Sequence, residues 1–487
     1  MYKRLIPLLF SISLFALFSC DNAGYIRDAE LKFSADTLMF DTVFTTQGSS
    51  MRTLKVYNNT DDYIIISNIH VAGGQQSQYN INVNGVSGYA FEDVQIEPND
   101  SIYIFAQVRI DPNNVNSPLI VEDSICFSLE KSRQYVKLLA WGQDANYIIA
   151  DTFREGLPSY KIVADSNNVV VWNSQKPYVV YGYAVVDSTG TLIIEAGTHV
   201  HFHSNGGIWV YKGGTIKVLG TADDKVVFEG DRLESWYDSI PGQWEKIWIN
   251  EGSENNEFHH AVIKNGLVGI HVQTLDEPMN NALILNNVEI HNMSSAGIFS
   301  MNYAIYAANC VFSSCKGQLA YLSMGGQYDF RNCTFANYYK GRSDVSSVYL
   351  SNFYLSGNTY YYGELDGYFG NCIIYGSRDN EFNIGILESA PTNNQIKIEN
   401  SLVKISNAEY DKFSDYFTDC IRNEDPIFKD KYLLNYRLDS IISPAVNNGS
   451  LSVVNESPAL NITSDFDGNS RISDDAPDIG AFEFVDK

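Results

Sequence analysis

Residues 191–250 restrict the possible folds more than any other stretch of this chain. Short apolar runs follow one another at 192–194, 200–202, 208–210, 216–218, 226–228 and 247–249, with Gly, Asp or Asn in nearly every gap. Alternation over so few residues describes strands with one buried side. No run of helical periodicity interrupts them, so crossover helices are not available. Parallel strands must then be joined by the turns of a coil, which predicts a β-solenoid.

Past Asn250 an internal repeat supports the same reading. His260, Asn287, Asn309, Asn332, Asn371 and Asn400 each open a four-residue unit whose fourth position is large and apolar. Their spacings are 27, 22, 23, 39 and 29 residues. The spacings near 22 are single coils, and the longer ones are coils with insertions. The second and fourth positions share a parity and point inward. Cys310, Cys333 and Cys372 are therefore expected as an interior column of free thiols, in preference to a Cys310–Cys333 bridge. The leading Asn residues are expected at a tight left-handed turn, bonding their neighbours above and below.

Gly197-Thr198, Gly214, Gly220-Thr221-Ala222-Asp223, Val226-Val227-Phe228 and Trp244-x-x-Ile247 together resemble bacterial right-handed parallel β-helix proteins of the pectate-lyase-like class. The resemblance covers about the middle half of the chain and implies a fold without implying an activity. The expected class is all-β, an N-terminal Ig-like β-sandwich followed by a right-handed single-stranded parallel β-helix.

The N-terminus reads as a secretory signal. Lys3 and Arg4 precede an apolar run at 5–18, too short for a comfortable membrane span, and Ser19-Cys20 follows. Leu17, Ser19 and Cys20 resemble the lipobox of bacterial lipoproteins, with Phe18 a departure at the variable position. The resemblance implies cleavage before Cys20 and lipid attachment there, hence a membrane partner. Composition and lipobox together resemble Bacteroidetes-type envelope proteins, which implies the outer membrane. The formal net charge of −25 argues against nucleic acid as a partner. Six further cysteines form neither a dense disulfide framework nor a C-x-x-C pair.

The expected domains are a signal peptide at 1–19, a tether at 20–32, the sandwich at 33–145, a connector and N-terminal cap at 146–190, the β-helix at 191–424 and a closing segment at 425–487. Sandwich strands are predicted at 37–44, 52–58, 63–70, 79–83, 91–96, 101–110, 123–129 and 134–141. The strings LKVYNNT, IIISNI, IEPNDSI and VRIDP resemble bacterial Ig-like domains of the Hydin type, which implies a spacer or interaction module. In the last segment, Asp425-Pro426-Ile427-Phe428, Ser443-Pro444-Ala445, Ser457-Pro458-Ala459 and Asp478-Ile479-Gly480-Ala481-Phe482-Glu483 resemble the tail of surface β-helix proteins, including choice-of-anchor domains. That resemblance implies a closing cap.

Four groups of residues could carry chemistry. His199, His201 and His203 alternate on one strand and share the outer side. The preferred reading is a solvated face; the alternative is a metal site completed by a neighbouring coil. Asp465, Asp467 and Asn469 are spaced like the start of a calcium loop, but Ala476 stands where a bidentate Glu is needed. A turn pinned by Arg471 and Asp478 is preferred, and calcium, the one cofactor considered, is the alternative. Carboxylate pairs for polysaccharide cleavage are Asp223 and Asp224, Glu229 and Asp231, and Glu364 and Asp366, although Asp223 and Asp224 fall in a structural turn. The 39-residue spacing carries a cluster of tyrosines, of which Tyr360, Tyr361 and Tyr362 are the candidate glycan-binding residues.

The function expected is a lipid-anchored, non-catalytic envelope protein that binds a polysaccharide or another surface component. The alternatives are a polysaccharide lyase or glycoside hydrolase working in the β-helix groove, and an envelope scaffold partnered by protein.

Overall fold

A computed structural model describes residues 24–45, 47–111, 119–275, 283–473 and 476–486. The signal segment and Cys20 lie outside the described residues. The chain divides into two compact units, residues 1–144 and 145–487.

The first unit is a two-sheet sandwich. One sheet orders the strands Tyr63–Val71, Leu119–Ser128, Arg133–Gln143 and Thr37–Phe44, with Ala90–Ile96 on the far side of Tyr63–Val71. The other is built on Arg52–Tyr57, Ser101–Val108 and Tyr79–Val83. The first strand, Thr37–Phe44, runs parallel to the last, Arg133–Gln143. This is the arrangement of an immunoglobulin-like module. Alternate residues such as Leu54, Val56, Ile104, Ala106 and Ile125 fill its core.

The second unit is a parallel β-helix with three faces. Each coil visits them in order, and every strand pairs in parallel with its equivalents in the coils before and after. The third coil shows the plan. His199–Val210 covers the first and second faces, and Thr215–Leu219 covers the third. The helix starts earlier than the sequence suggests. Asn146–Ile149, Tyr160–Ala164, Val169–Trp172 and Tyr178–Val186 already pair in parallel with later coils, so 146–190 is coil and not only connector.

The Asn repeat sets the register. Val262 pairs with Glu289, Glu289 with Val311, Val311 with Thr334, Thr334 with Ile373 and Ile373 with Leu402. These pairings reproduce the repeat spacings without a slip. His260, Asn287, Asn309, Asn332, Asn371 and Asn400 all have φ between 45° and 56°. Asn tolerates this left-handed corner better than other residues with a Cβ. Each also donates its backbone N–H to the coil above, as Asn309 does to Arg331 O and Asn332 to Gly370 O.

Position two of the repeat points inward, as parity requires. Cys310, Cys333 and Cys372 are fully buried free thiols. The same column continues through Ser401 to Cys420. Each thiol donates to the carbonyl two residues back, at 3.2 to 3.4 Å. Phe312 and Phe335, at position four, stack at 4.7 Å.

On the outer side of the second face, Trp209, Trp248, His271, Phe299, Tyr321 and Tyr349 occupy matching positions on successive coils. Their centroids lie 4.8 to 6.0 Å apart. The insertion after Asn337 is tied to this face from within. Arg342 and Glu381 form a buried bidentate pair at 2.7 and 3.0 Å. Glu381 also accepts from Ser347 N, Ser347 Oγ and Arg378 N.

The last coil has the short helix Asn407–Phe413 between its first-face and third-face strands, which places Phe413 against the interior core. The 425–487 segment lies elsewhere. Its Tyr436, Phe466 and Phe482 pack on Val311 and Ala336, and its Leu438, Ala445 and Ile479 pack on Ile373 and Leu402. Those four helix residues point outward from the first face, so the segment covers the side of several coils. It also takes over the Asn side chains. Asn309 Nδ2 donates to Ser464 O at 2.9 Å, and Asn371 exchanges two bonds with the backbone of Ser450. Asn309 Nδ2 to Asn287 Oδ1, at 3.4 Å, is a remnant of the expected coil-to-coil ladder.

Candidate glycan-binding groove

The long repeat spacing contains a β-hairpin outside the coil sheets. Phe353–Ser356 pairs antiparallel with Thr359–Tyr362. Gly357, at φ 60°, takes the first position of the two-residue turn, which is where such a hairpin needs glycine. Tyr360, Tyr361 and Tyr362 are 48%, 46% and 49% exposed. Tyr360 meets Phe353 edge to face at 5.6 Å. These rings do not pack the hairpin down onto the coil; much of each remains open to solvent.

The stacked rings of the second face are a different case. A ring stacked between coils has both faces covered by its neighbours, so it presents edges outward. Trp248 and Tyr321 are stacked on both sides and offer little flat surface to a sugar, while His271 meets Phe299 edge to face.

Tyr362 lines a groove on the third face. The first part, 260 Å³, is lined by Asn302, Gln327, Glu364, Asp366, Asn393 and Gln395 among others. The second, 350 Å³, shares Gln327 and Asp366 and extends to Tyr306, Asp329, Tyr368 and Pro458. Amides, carboxylates and the tyrosines Tyr306, Tyr328, Tyr362 and Tyr368 therefore line two adjoining hollows that share Gln327 and Asp366.

Asp329 and Asp366 sit diagonally in the second hollow, because Gln327 pairs with Asp366 and Asp329 with Tyr368. Diagonal neighbours on a sheet are about 7–8 Å apart at their Cα atoms. Burial raises the Asp329 carboxyl above its usual range; Arg331 pulls it back and Asp366 adds to the rise. Burial also raises Asp366. Arg331 grips Asp329 through Nε at 2.9 Å and Nη2 at 3.1 Å, donates Nη1 to Val453 O, and lies 4.6 Å over the Tyr368 ring. Tyr368 donates to Glu399, which Lys397 neutralises at 2.5 Å. Glu364 and Asp366 are the exposed carboxylates of the groove.

Of the sequence candidates, Tyr362, Glu364 and Asp366 come together here. Asp223 and Asp224 form a turn, in which Asp224 N donates to Thr221 Oγ1. Glu229 and Asp231 lie on the first face beside the histidines. Asp465 is buried, and its two oxygens accept from Asp467 N, Asn469 N, Asn469 Nδ2 and Glu483 N. Asp467 is held bidentate by Arg437. These bonds close the turn at 465–469 and tie it to the rest of the tail. Arg471 and Asp478 are tied within the tail as well. The first is buried against Glu483, and the second accepts from Asn447 N and Phe484 N.

Sequence reasoning missed Tyr306, Gln327, Asp329 and Arg331. A signal for them existed. Each third-face strand ends just before a repeat Asn, so positions one, three and five residues back point outward. Counted back from Asn332 these are Arg331, Asp329 and Gln327, and from Asn371 they include Tyr368 and Asp366.

No family model matches the chain, and no curated protein matches it. Among solved structures, a family 123 glycoside hydrolase from Clostridium perfringens, described for glycolipid glycan hydrolysis, aligns at 8% identity with a TM-score of 0.17. The alignment covers 24% of this chain and 30% of that one, and likeness at that level carries no argument about function.

Proposed function

We propose that this protein is a lipid-anchored envelope β-helix that binds a glycan along the third-face groove, with the tyrosine hairpin as a contact beside it. The observation that carries the reading is the row Tyr360, Tyr361 and Tyr362, each about half exposed on an inserted hairpin. Tyr rings stack on the apolar faces of sugars while their hydroxyls bond to the ring substituents. The amides of Asn302, Gln327, Asn393 and Gln395 supply matching donors and acceptors along the groove. The immunoglobulin-like unit serves as a spacer, and Cys20 carries the anchor at the outer membrane. Replacing Cys20 with Ser is expected to move the protein from the membrane to the soluble fraction. Unchanged membrane retention would remove the anchor from this account.

A second reading, glycoside hydrolysis, is favoured by Asp329 and Asp366, two carboxyls raised by burial in one hollow. A raised carboxyl can serve as a general acid. The test is a polysaccharide panel, with and without calcium, reading affinity shift and new reducing or unsaturated ends together. Binding without product, weakened about tenfold or more when Tyr360, Tyr361 and Tyr362 become Ala, supports the binding reading. Product that disappears in Asp366→Asn supports hydrolysis instead. A panel silent in both readouts would sink both.

A further inference from the structure

We propose that His199, His201 and Glu229 form a binding site for a divalent first-row transition-metal ion of the zinc type. The site lies on the first face, and it stands or falls independently of the glycan reading. Residues 199–203 alternate so that Val200 and Phe202 enter the core while His199 and His201 project outward on one strand. On the next coil Glu229 pairs directly with His201. The two imidazole rings lie 6.1 Å apart and 18° from parallel. Both Nδ1 atoms face the same carboxylate oxygen, Glu229 Oε1, at 3.8 and 3.7 Å. One donor atom from each of the three residues falls within 4.8 Å of the others. Bonds of about 2.0–2.2 Å to a shared ion need those atoms to close by roughly half an ångström, a side-chain rotation.

The surroundings fit a metal site better than a solvated polar face. His201 is 4% exposed, which overturns the solvated reading for that residue. Its Nδ1 also lies 3.1 Å from Gly230 O, a bond that ligation through Nδ1 displaces and ligation through Nε2 keeps as the orienting contact. Lys264 holds the other Glu229 oxygen, Oε2, at 2.9 Å, which leaves Oε1 turned toward the histidines. His199 is half exposed on its side chain, which gives an ion a path in from solvent. Two imidazoles and one carboxylate select zinc-like ions over calcium or magnesium, which prefer all-oxygen shells. Water would fill the remaining positions. His203 belongs to a separate pair, with Asp231 at 2.6 Å.

The test uses the tag-free protein stripped with a chelator, then titrated with Zn²⁺ by calorimetry and with Co²⁺ by absorption. We expect one equivalent to bind, with a Co²⁺ spectrum of nitrogen and oxygen ligation. His199→Ala and Glu229→Gln should each weaken binding about tenfold or more, and His203→Ala should leave it unchanged. His199 is exposed enough that its removal should not disturb the fold, which circular dichroism melting would confirm. Absence of binding to both ions, or equal binding by wild type, His199→Ala and Glu229→Gln, would overturn the proposal.

Discussion

Replacing Arg471 with alanine is expected to release the 425–487 segment from the side of the helix and to cost about 3–5 kcal/mol, the range for breaking a buried ion pair. Arg471 has no exposed surface. Its guanidinium donates to Glu483 at 2.5 Å, to Asn309 Oδ1 at 2.9 Å and to Gly480 O at 3.0 Å. Removing it strands Glu483, whose carboxyl burial already pushes up to about 7, and leaves the Asn309 corner short of a donor. The measurement is limited proteolysis with a melting curve. Cleavage should appear first within 425–487 while the coils still resist, and melting should begin at a lower temperature. A variant whose tail resists protease as wild type does would show that the apolar contacts of Tyr436, Phe466 and Phe482 suffice without the ion pair.

Glu381→Ala should cost as much, at a different place. Glu381 is fully buried and satisfies Arg342, Ser347 and the Arg378 backbone at once. Its loss leaves the Arg342 guanidinium buried without a counter-charge, again about 3–5 kcal/mol. The 338–347 loop should then loosen, because Arg342 also ties it internally through Asn337 O and Val345 O. Hydrogen exchange over that loop should rise sharply, while exchange in the first unit stays at its wild-type level. Glu381→Gln keeps the shape and part of the bonding and should fall between the two. Unaltered exchange in Glu381→Ala would mean that the loop is held by its backbone bonds alone.

The coil register could be read from sequence because two constraints coincide at every repeat. A left-handed corner favours Asn, and the residue after it must be small enough to enter the core beside a large neighbour. A slip by one residue would turn Phe312 or Phe335 outward and take Asn309 or Asn332 off the corner. Before His260 the left-handed positions are a mixture that includes Asn167, Gly182, Thr189, Gly197, Ser204, Gly213 and Asn255, so no one residue type recurs at a fixed spacing. That is why the coils at 146–190 looked like a connector. The tail was misplaced for another reason. Its order of short motifs identifies a segment, but its side-chain hydrogen bonds to the coils span 79 to 179 residues, and local pattern is silent about distance. Tyr360, Tyr361 and Tyr362 stood out as a run within an insertion. Asp329 and Arg331 did not, because their meaning depends on which side of a strand they face.

A stack of coils ordinarily touches only its nearest neighbours, so each end can fray without consulting the rest. The bonds from Ser450, Ser464, Phe466 and Arg471 back to Asn371, Asn309 and Asn287 change that. They lace separate rungs to one strip of chain that follows all of them in sequence. Coils can stack progressively as the polypeptide emerges, but the lacing is drawn tight only after the last rung exists. Assembly of this molecule therefore has a finishing step, and a middle rung cannot open afterwards without first peeling that strip away.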